Sequence, residues 1–77
     1  MNDETVRTLD AFAAPYGREI TLESVEHDSG LNMLRIRIRE GRRFTVMDID
    51  ANTAVQWSAA MRAWASKTQH SNGVQEA

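Results

Sequence analysis

RIRIREGRRFTVMDID, residues 35–50, alternates with a period of two that is broken once. Arg35, Arg37 and Arg39 alternate with Ile36 and Ile38, which is the period of two that gives a strand one apolar and one polar face. Gly41 interrupts the alternation, and Phe44, Val46 and Ile49 follow with strand-forming residues between them. The stretch is therefore expected to form two strands of a hairpin. A three-residue loop, Arg39-Glu40-Gly41, would place the glycine last, in the left-handed conformation that closes a bulged hairpin. In that register Ile36 meets Phe44 and Leu34 meets Val46.

Working back toward the N-terminus, REITLESVEH and LNMLRIRIRE are strand-like runs separated by Asp28-Ser29-Gly30, a second loop of the same kind. This loop sets Ile20 opposite Ile38 and Leu22 opposite Ile36 on one face. Glu19, Thr21 and Glu23 then stand opposite Arg39, Arg37 and Arg35 on the other. One face of the sheet is apolar and the other is salt-bridged, with Arg37 diagonal to both Glu19 and Glu23.

Downstream, Ala54, Trp57, Met61, Trp64 and Lys67 follow the three-and-four spacing of an amphipathic helix. Asp50 suits its N-cap and Ile49 can staple against Ala54. The helix is expected to lie across the apolar face of the sheet. Its tryptophans and methionine are better explained as core volume than as a ligand pocket. The expected core is Ile20, Leu22, Leu34, Ile36, Ile38, Phe44, Val46, Trp57, Met61 and Trp64. Upstream, Val6, Leu9, Phe12 and Ala13 lie near helical spacing, which suggests a short helix or turn ended by Pro15. APYG then makes a turn into the first strand. The fold class is α+β, a three-stranded antiparallel meander with a C-terminal helix on one face and a short N-terminal helix or turn.

Seventy-seven residues, 42% of them hydrophobic and 26% charged, allow one globular domain with a small core. It is expected over residues 1–67, with 1–5 frayed and the polar stretch 68–77 as a disordered tail. There is no cysteine, so neither disulfides nor thiolate metal sites support the fold. No run approaches the roughly 20 apolar residues of a membrane helix, and no signal-like segment opens the chain. The cytoplasm is the expected location, with no membrane partner. Nine Lys and Arg against eleven Asp and Glu give a net charge of −2, so no global field draws the chain to polyanions.

The chemistry-bearing residues point away from catalysis. His27, Asp28 and Ser29 contain triad residue types, but neighbours in a tight turn do not converge in a relay. His27 and His70 have no converging metal ligands, and nucleotide-binding and zinc-finger spacings are missing. No enzyme activity, cofactor or metal is expected. Two surface features remain. Arg43 would face Arg37 with Arg42 beside it, so Arg37, Arg42 and Arg43 form a candidate anion contact, the alternative reading of function. A nucleic-acid partner is disfavoured, because the arginines face glutamates and lack exposed aromatics for stacking. The second feature is an apolar row on the arginine face, Val25, Met33 and Met47, which something should cover. Either the N-terminal segment folds over it through Val6, Leu9 and Phe12, or a partner does. A homodimer is the favoured answer, since two open sheet edges add to the case, with a monomer covered by its own N-terminal segment close behind; the expected partner is a second copy or another protein.

APYGREI, SGLNMLRIRIREGRRFTV and DIDANTA resemble short bacterial proteins grouped only as a domain of unknown function. The resemblance implies a small bacterial cytoplasmic protein with no assigned activity and carries over no functional residues. The residues themselves lead to a small protein–protein interaction module that associates with itself.

Overall fold

The computed structural model describes residues 4–72. Four strands, β1 (Glu4–Ala14), β2 (Arg18–His27), β3 (Asn32–Glu40) and β4 (Arg43–Ile49), precede one helix, α1 (Ala51–Asn72). The strands form a single antiparallel sheet in the order β1-β2-β3-β4. The architecture is α+β, with four strands where the sequence suggested three.

The additional strand is the segment expected to be a helix or turn. β1 pairs with β2 from Glu4↔His27 to Ala14↔Arg18, with a shift of register between Thr8 and Asp10. Leu9 is the extra residue of a β-bulge, which reverses the side-chain alternation along the strand. Val6 therefore stands on one face beside Val25, and Phe12 on the other beside Ile20. A bulge between two short alternating runs produces apolar residues at spacings of three, and this imitates a helical pattern. The turn out of β1 uses Tyr16 and Gly17, both with positive φ, at 66° and 72°. Tyr16 projects into solvent, and the Arg18 guanidinium stands 5.7 Å from its ring centroid. Residues 1–3 of the expected frayed N-terminus lie outside the described residues, whereas Glu4 and Thr5 already belong to β1.

Between β2 and β3 the register is the one the Asp28-Ser29-Gly30 loop requires. Ile20 pairs with Ile38, Leu22 with Ile36, Glu23 with Arg35 and Glu19 with Arg39. Gly30 takes a φ of 94°, and its amide donates to the His27 carbonyl at 2.9 Å. Between β3 and β4 the register differs from expectation. Glu40 pairs with Arg43, so the loop has two residues, Gly41 and Arg42, with Gly41 at φ 61° in the first position. Ile36 consequently meets Met47 rather than Phe44, and Leu34 meets Ile49 rather than Val46. The slip is three residues, an odd number, so every side chain of β4 changes face. Phe44, Val46 and Asp48 join the arginine face. Thr45, Met47 and Ile49 join the isoleucine face.

Asp50 caps α1 as its sequence suggests. Its Oδ1 accepts the Thr53 amide at 2.9 Å, and its carbonyl accepts the Ala54 amide at 3.0 Å. Bonds from Thr53, first the side chain and then the backbone amide, hold the Asp50 carboxyl below the ordinary carboxylate value. The helix continues through residues 68–72, which the sequence assigned to a tail, and 73–77 lie outside the described residues. It does not lie across the sheet. The chain measures 52 × 30 × 16 Å, whereas a helix laid back along strands of this length would keep it within about 35 Å. Contacts of α1 with the sheet centre on β3, and its stripe of Trp57, Met61 and Trp64 is 39%, 59% and 67% exposed. The radius of gyration, 15.4 Å, exceeds the roughly 11–12 Å of a compact domain of this length.

Candidate functional site

The two faces of the sheet differ in how far they satisfy themselves. On the arginine face, alternation brings Arg35, Arg37 and Arg39 between the carboxylates of both neighbouring strands. Arg35 donates two bonds to Asp48, Nε to Oδ1 at 2.8 Å and one terminal nitrogen to Oδ2 at 3.0 Å. This planar fork is the stronger kind of ion pair. The bond from Arg35 holds the Asp48 carboxyl below its ordinary range, and Asp48 in turn raises the Arg35 guanidinium. Glu4 adds a longer contact to Arg35 at 3.9 Å. Arg37 donates through Nε to Glu23 at 3.0 Å, and Arg39 reaches Glu19, also at 3.0 Å. Glu23 thus takes its diagonal partner, Arg37, because Asp48 has claimed Arg35. Sequence reasoning missed the Arg35–Asp48 pair, since its register sent Asp48 to the other face.

The proposed anion contact is not assembled by this sheet. Arg37 lies on the arginine face in its bond with Glu23, whereas Arg43 pairs in register with Glu40 on the isoleucine face. Glu40 itself accepts from Arg18. Arg42 stands at the hairpin tip between them. Three arginines expected around one anion are divided between two faces and a loop.

The apolar row is divided too. Val25 and Met33 are directly paired on the arginine face, and Val6 of β1 flanks Val25 on its other side. Val25 is 0% exposed, one of two buried apolar side chains among the described residues. Met47 stands on the opposite face, paired with Ile36. The N-terminal segment extends the sheet beside Val25 rather than folding over it, and only its Val6 adjoins the row.

The isoleucine face has no cover of its own. It presents Phe12 from β1, Ile20 and Leu22 from β2, Leu34, Ile36 and Ile38 from β3, and Met47 and Ile49 from β4. Only Ile49, beside the start of α1, is buried, at 6% exposure. Phe12 and Met47 are about half exposed, and the isoleucines and leucines between them are partly so. On α1, Trp57, Ala60, Met61, Trp64 and Ala65 line a shallow apolar concavity formed by the helix alone. Among the described residues, no cluster of three His, Cys, Asp or Glu could hold a metal ion, and no helix is long and apolar enough to cross a membrane.

These features define a small α+β protein with one sheet face of paired charges, one apolar sheet face and an amphipathic helix that projects beyond both. Residues 3–67 match the model of a family described as a family of unknown function, DUF6967, and the chain belongs to that family. No curated protein and no solved structure matches the chain.

Proposed function

We propose that this chain is a self-associating protein–protein interaction module whose working form is a homodimer. The observation that carries the reading is the burial pattern: of all the described apolar side chains, only Val25 and Ile49 are buried. A short chain without disulfides needs either an efficient core or a partner to offset the entropy of folding. An apolar sheet face and an apolar helix stripe, both open, are the kind of surface that marks an interface.

The accessible area supports the same reading. It is 6362 Å², against roughly 4,700 Å² for a compact monomer of this mass. The excess is on the order of 1,600 Å² per chain, which falls in the range an intimate dimer buries from each protomer. Sedimentation equilibrium of the pure chain at tens of micromolar is the test. The expected result is twice the chain mass of 8.7 kDa. A strict monomer across that range overturns the proposal.

A further inference from the structure

Self-association leaves open which surface meets which, and the fold constrains the answer. The chain carries two unpartnered apolar surfaces of matched length. The 22-residue helix is about 33 Å long, and so is the ten-residue strand β2. Trp57, Met61 and Trp64, with the half-buried Ala54, Ala65 and Thr68, share one side of α1. Phe12, Leu22, Ile36, Ile38 and Met47 share one side of the sheet.

The connection between them keeps them apart within one chain. A single residue, Asp50, separates β4 from α1, and it is fixed by its own cap bonds to Thr53 and Ala54. The buried Ile49 holds the same corner. A helix leaving the sheet through so short and so restrained a joint projects beyond it, as the 52 Å long axis records. Its stripe is then carried away from its own sheet and toward whatever lies beyond.

Charge is distributed unevenly between sheet and helix. Across residues 4–50 there are seven arginines and nine carboxylates, whereas α1 contains Arg62 and Lys67 and no acidic residue. Arg62 and Lys67 flank the apolar stripe on either side by helical geometry. On the isoleucine face, Arg7, Arg18 and Arg43 balance Asp10, Glu26 and Glu40, with Arg7 bonded to Glu26 and Arg18 to Glu40, so the match between helix and sheet is one of apolar surface rather than of charge.

We propose that two copies exchange helices: α1 of each lies across the isoleucine face of the other, with Trp57, Met61 and Trp64 seated on Ile36, Ile38 and Met47. The exchange rests on the homodimer reading and specifies it. Two complementary surfaces on one chain, joined reciprocally, close a twofold dimer and leave no surface to propagate a chain of subunits. Each copy supplies the layer the other lacks, so that the sheet acquires the helical cover its sequence pattern calls for.

The test uses the absence of cysteine in the native chain. The doubly substituted chain Met47→Cys/Met61→Cys is treated with a short bifunctional maleimide and its mass read under denaturing conditions. Exchange predicts a shift from the single-chain mass to a covalent dimer. It also predicts that Met47→Cys chains mixed with Met61→Cys chains cross-link to one another, while Met61→Cys alone does not link to itself. Cross-linking within one chain means the helix folds back on its own sheet. Efficient Met61–Met61 linkage means the helices pack on each other. A dimer that sediments as such yet gives no Met47–Met61 link joins through a sheet edge. Each of these three overturns the exchange while leaving the dimer in place, and a sedimenting monomer removes the dimer itself. Because the methionines replaced are both about half exposed, the substitutions leave the fold of the chain undisturbed, and circular dichroism of each variant verifies it.

Discussion

The arginine face and the isoleucine face are the two sides of the same four strands, yet they solve the problem of exposure in opposite ways. On the arginine face every guanidinium of β3 finds a carboxylate on a neighbouring strand, and Val25 is closed off among Val6 and Met33. The charges of that side are paired within one chain, while Phe44 and Val46 stand on it about half exposed or more. The isoleucine face carries more apolar residues and no helical layer, because the helix that matches it is led away at Asp50. The difference is the ground for the proposed interaction surface: charges satisfied inside the chain contribute solubility and register, whereas uncovered apolar area is the kind of surface that marks an interface.

The largest effect should come from breaking the open side. Trp64→Glu places a charge in the apolar stripe at a residue that is two-thirds exposed in the single chain, so the chain's own packing hardly changes. A buried tryptophan at an interface is commonly worth 2 kcal/mol or more, so dimer affinity should fall by about 30-fold at least. Sedimentation over a dilution series measures it. An unchanged affinity would remove α1 from the interface.

Next in size is Val25, the fully buried side chain of the arginine side among the described residues. Val25→Ala deletes two methyl groups from a site with no exposure and leaves a cavity, at an expected cost of about 2 kcal/mol in urea denaturation. The comparison sharpens if Trp64→Glu acts on association and Val25→Ala on stability at fixed dimer concentration. A loss of less than about 0.5 kcal/mol for Val25→Ala would mean that Val25 is not tightly packed between Val6 and Met33.

Gly41 sets which side chains fall on which side. Its φ of 61° lies in the left-handed region, while a β-carbon built there would meet nothing within 4 Å. Gly41→Ala should therefore cost about 1 kcal/mol by backbone strain alone, with no steric clash. A neutral substitution would show that the turn does not depend on glycine.

The same turn explains what could be seen in the sequence and what could not. The β2–β3 register was legible because one loop choice put Ile20 and Leu22 against Ile38 and Ile36 and, independently, glutamates against arginines. For β3–β4, REGRR permits a three-residue loop ending on Gly41 and a two-residue loop beginning on it. Apolar residues occur at both parities of β4, as Phe44 and Val46 or as Met47 and Ile49, so periodicity cannot choose. The carboxylate at 48 could have chosen, since only the two-residue loop sets it opposite Arg35. β1 was hidden by the bulge at Leu9. The helix and its cap were legible from Asp50 and the stripe, but its direction was not, because an amphipathic pattern states that a face is covered and not by which chain. Of the candidate residues, Val25 and Met33 pair in register, while the register of β4 puts Met47 and Arg43 on the opposite face and Arg42 in the turn.

A smaller effect follows from the Arg35–Asp48 fork. Asp48→Asn keeps the shape and removes the charge, and should cost about 0.5–1 kcal/mol, near the top of the range for partly exposed pairs because the contact is bidentate. The pH dependence has a definite sign. The Asp48 carboxyl is held below its ordinary value of 3.8 in the folded chain, so its contribution is complete above that value. It is lost as pH falls through the lowered folded value. Asp50, lowered by its bonds from Thr53, acts in the same direction. Stability should thus decline below about pH 4, and the decline should be shallower in Asp48→Asn. An identical acid limb in the variant would show that the fork carries no linkage.

The smallest effect tests whether the arginine face is as self-contained as its pairs indicate. Arg39 bonds Glu19 at 3.0 Å, and both side chains are about half exposed, so water competes with the pair and salt screens it. Arg39→Ala should change stability by no more than about 0.5 kcal/mol and leave the sedimentation of the dimer unaltered. The neighbouring Phe44, opposite Arg39 and 62% exposed, would lose part of its cover, which sets the direction of the small change as destabilising. A large loss of dimer affinity on Arg39→Ala, with stability intact, would move the interface to the arginine face, since a residue that touches only its own chain cannot weaken contact with another. The paired comparison of Arg39→Ala with Trp64→Glu, one on each side of the molecule, therefore assigns the interface to a face by sedimentation alone.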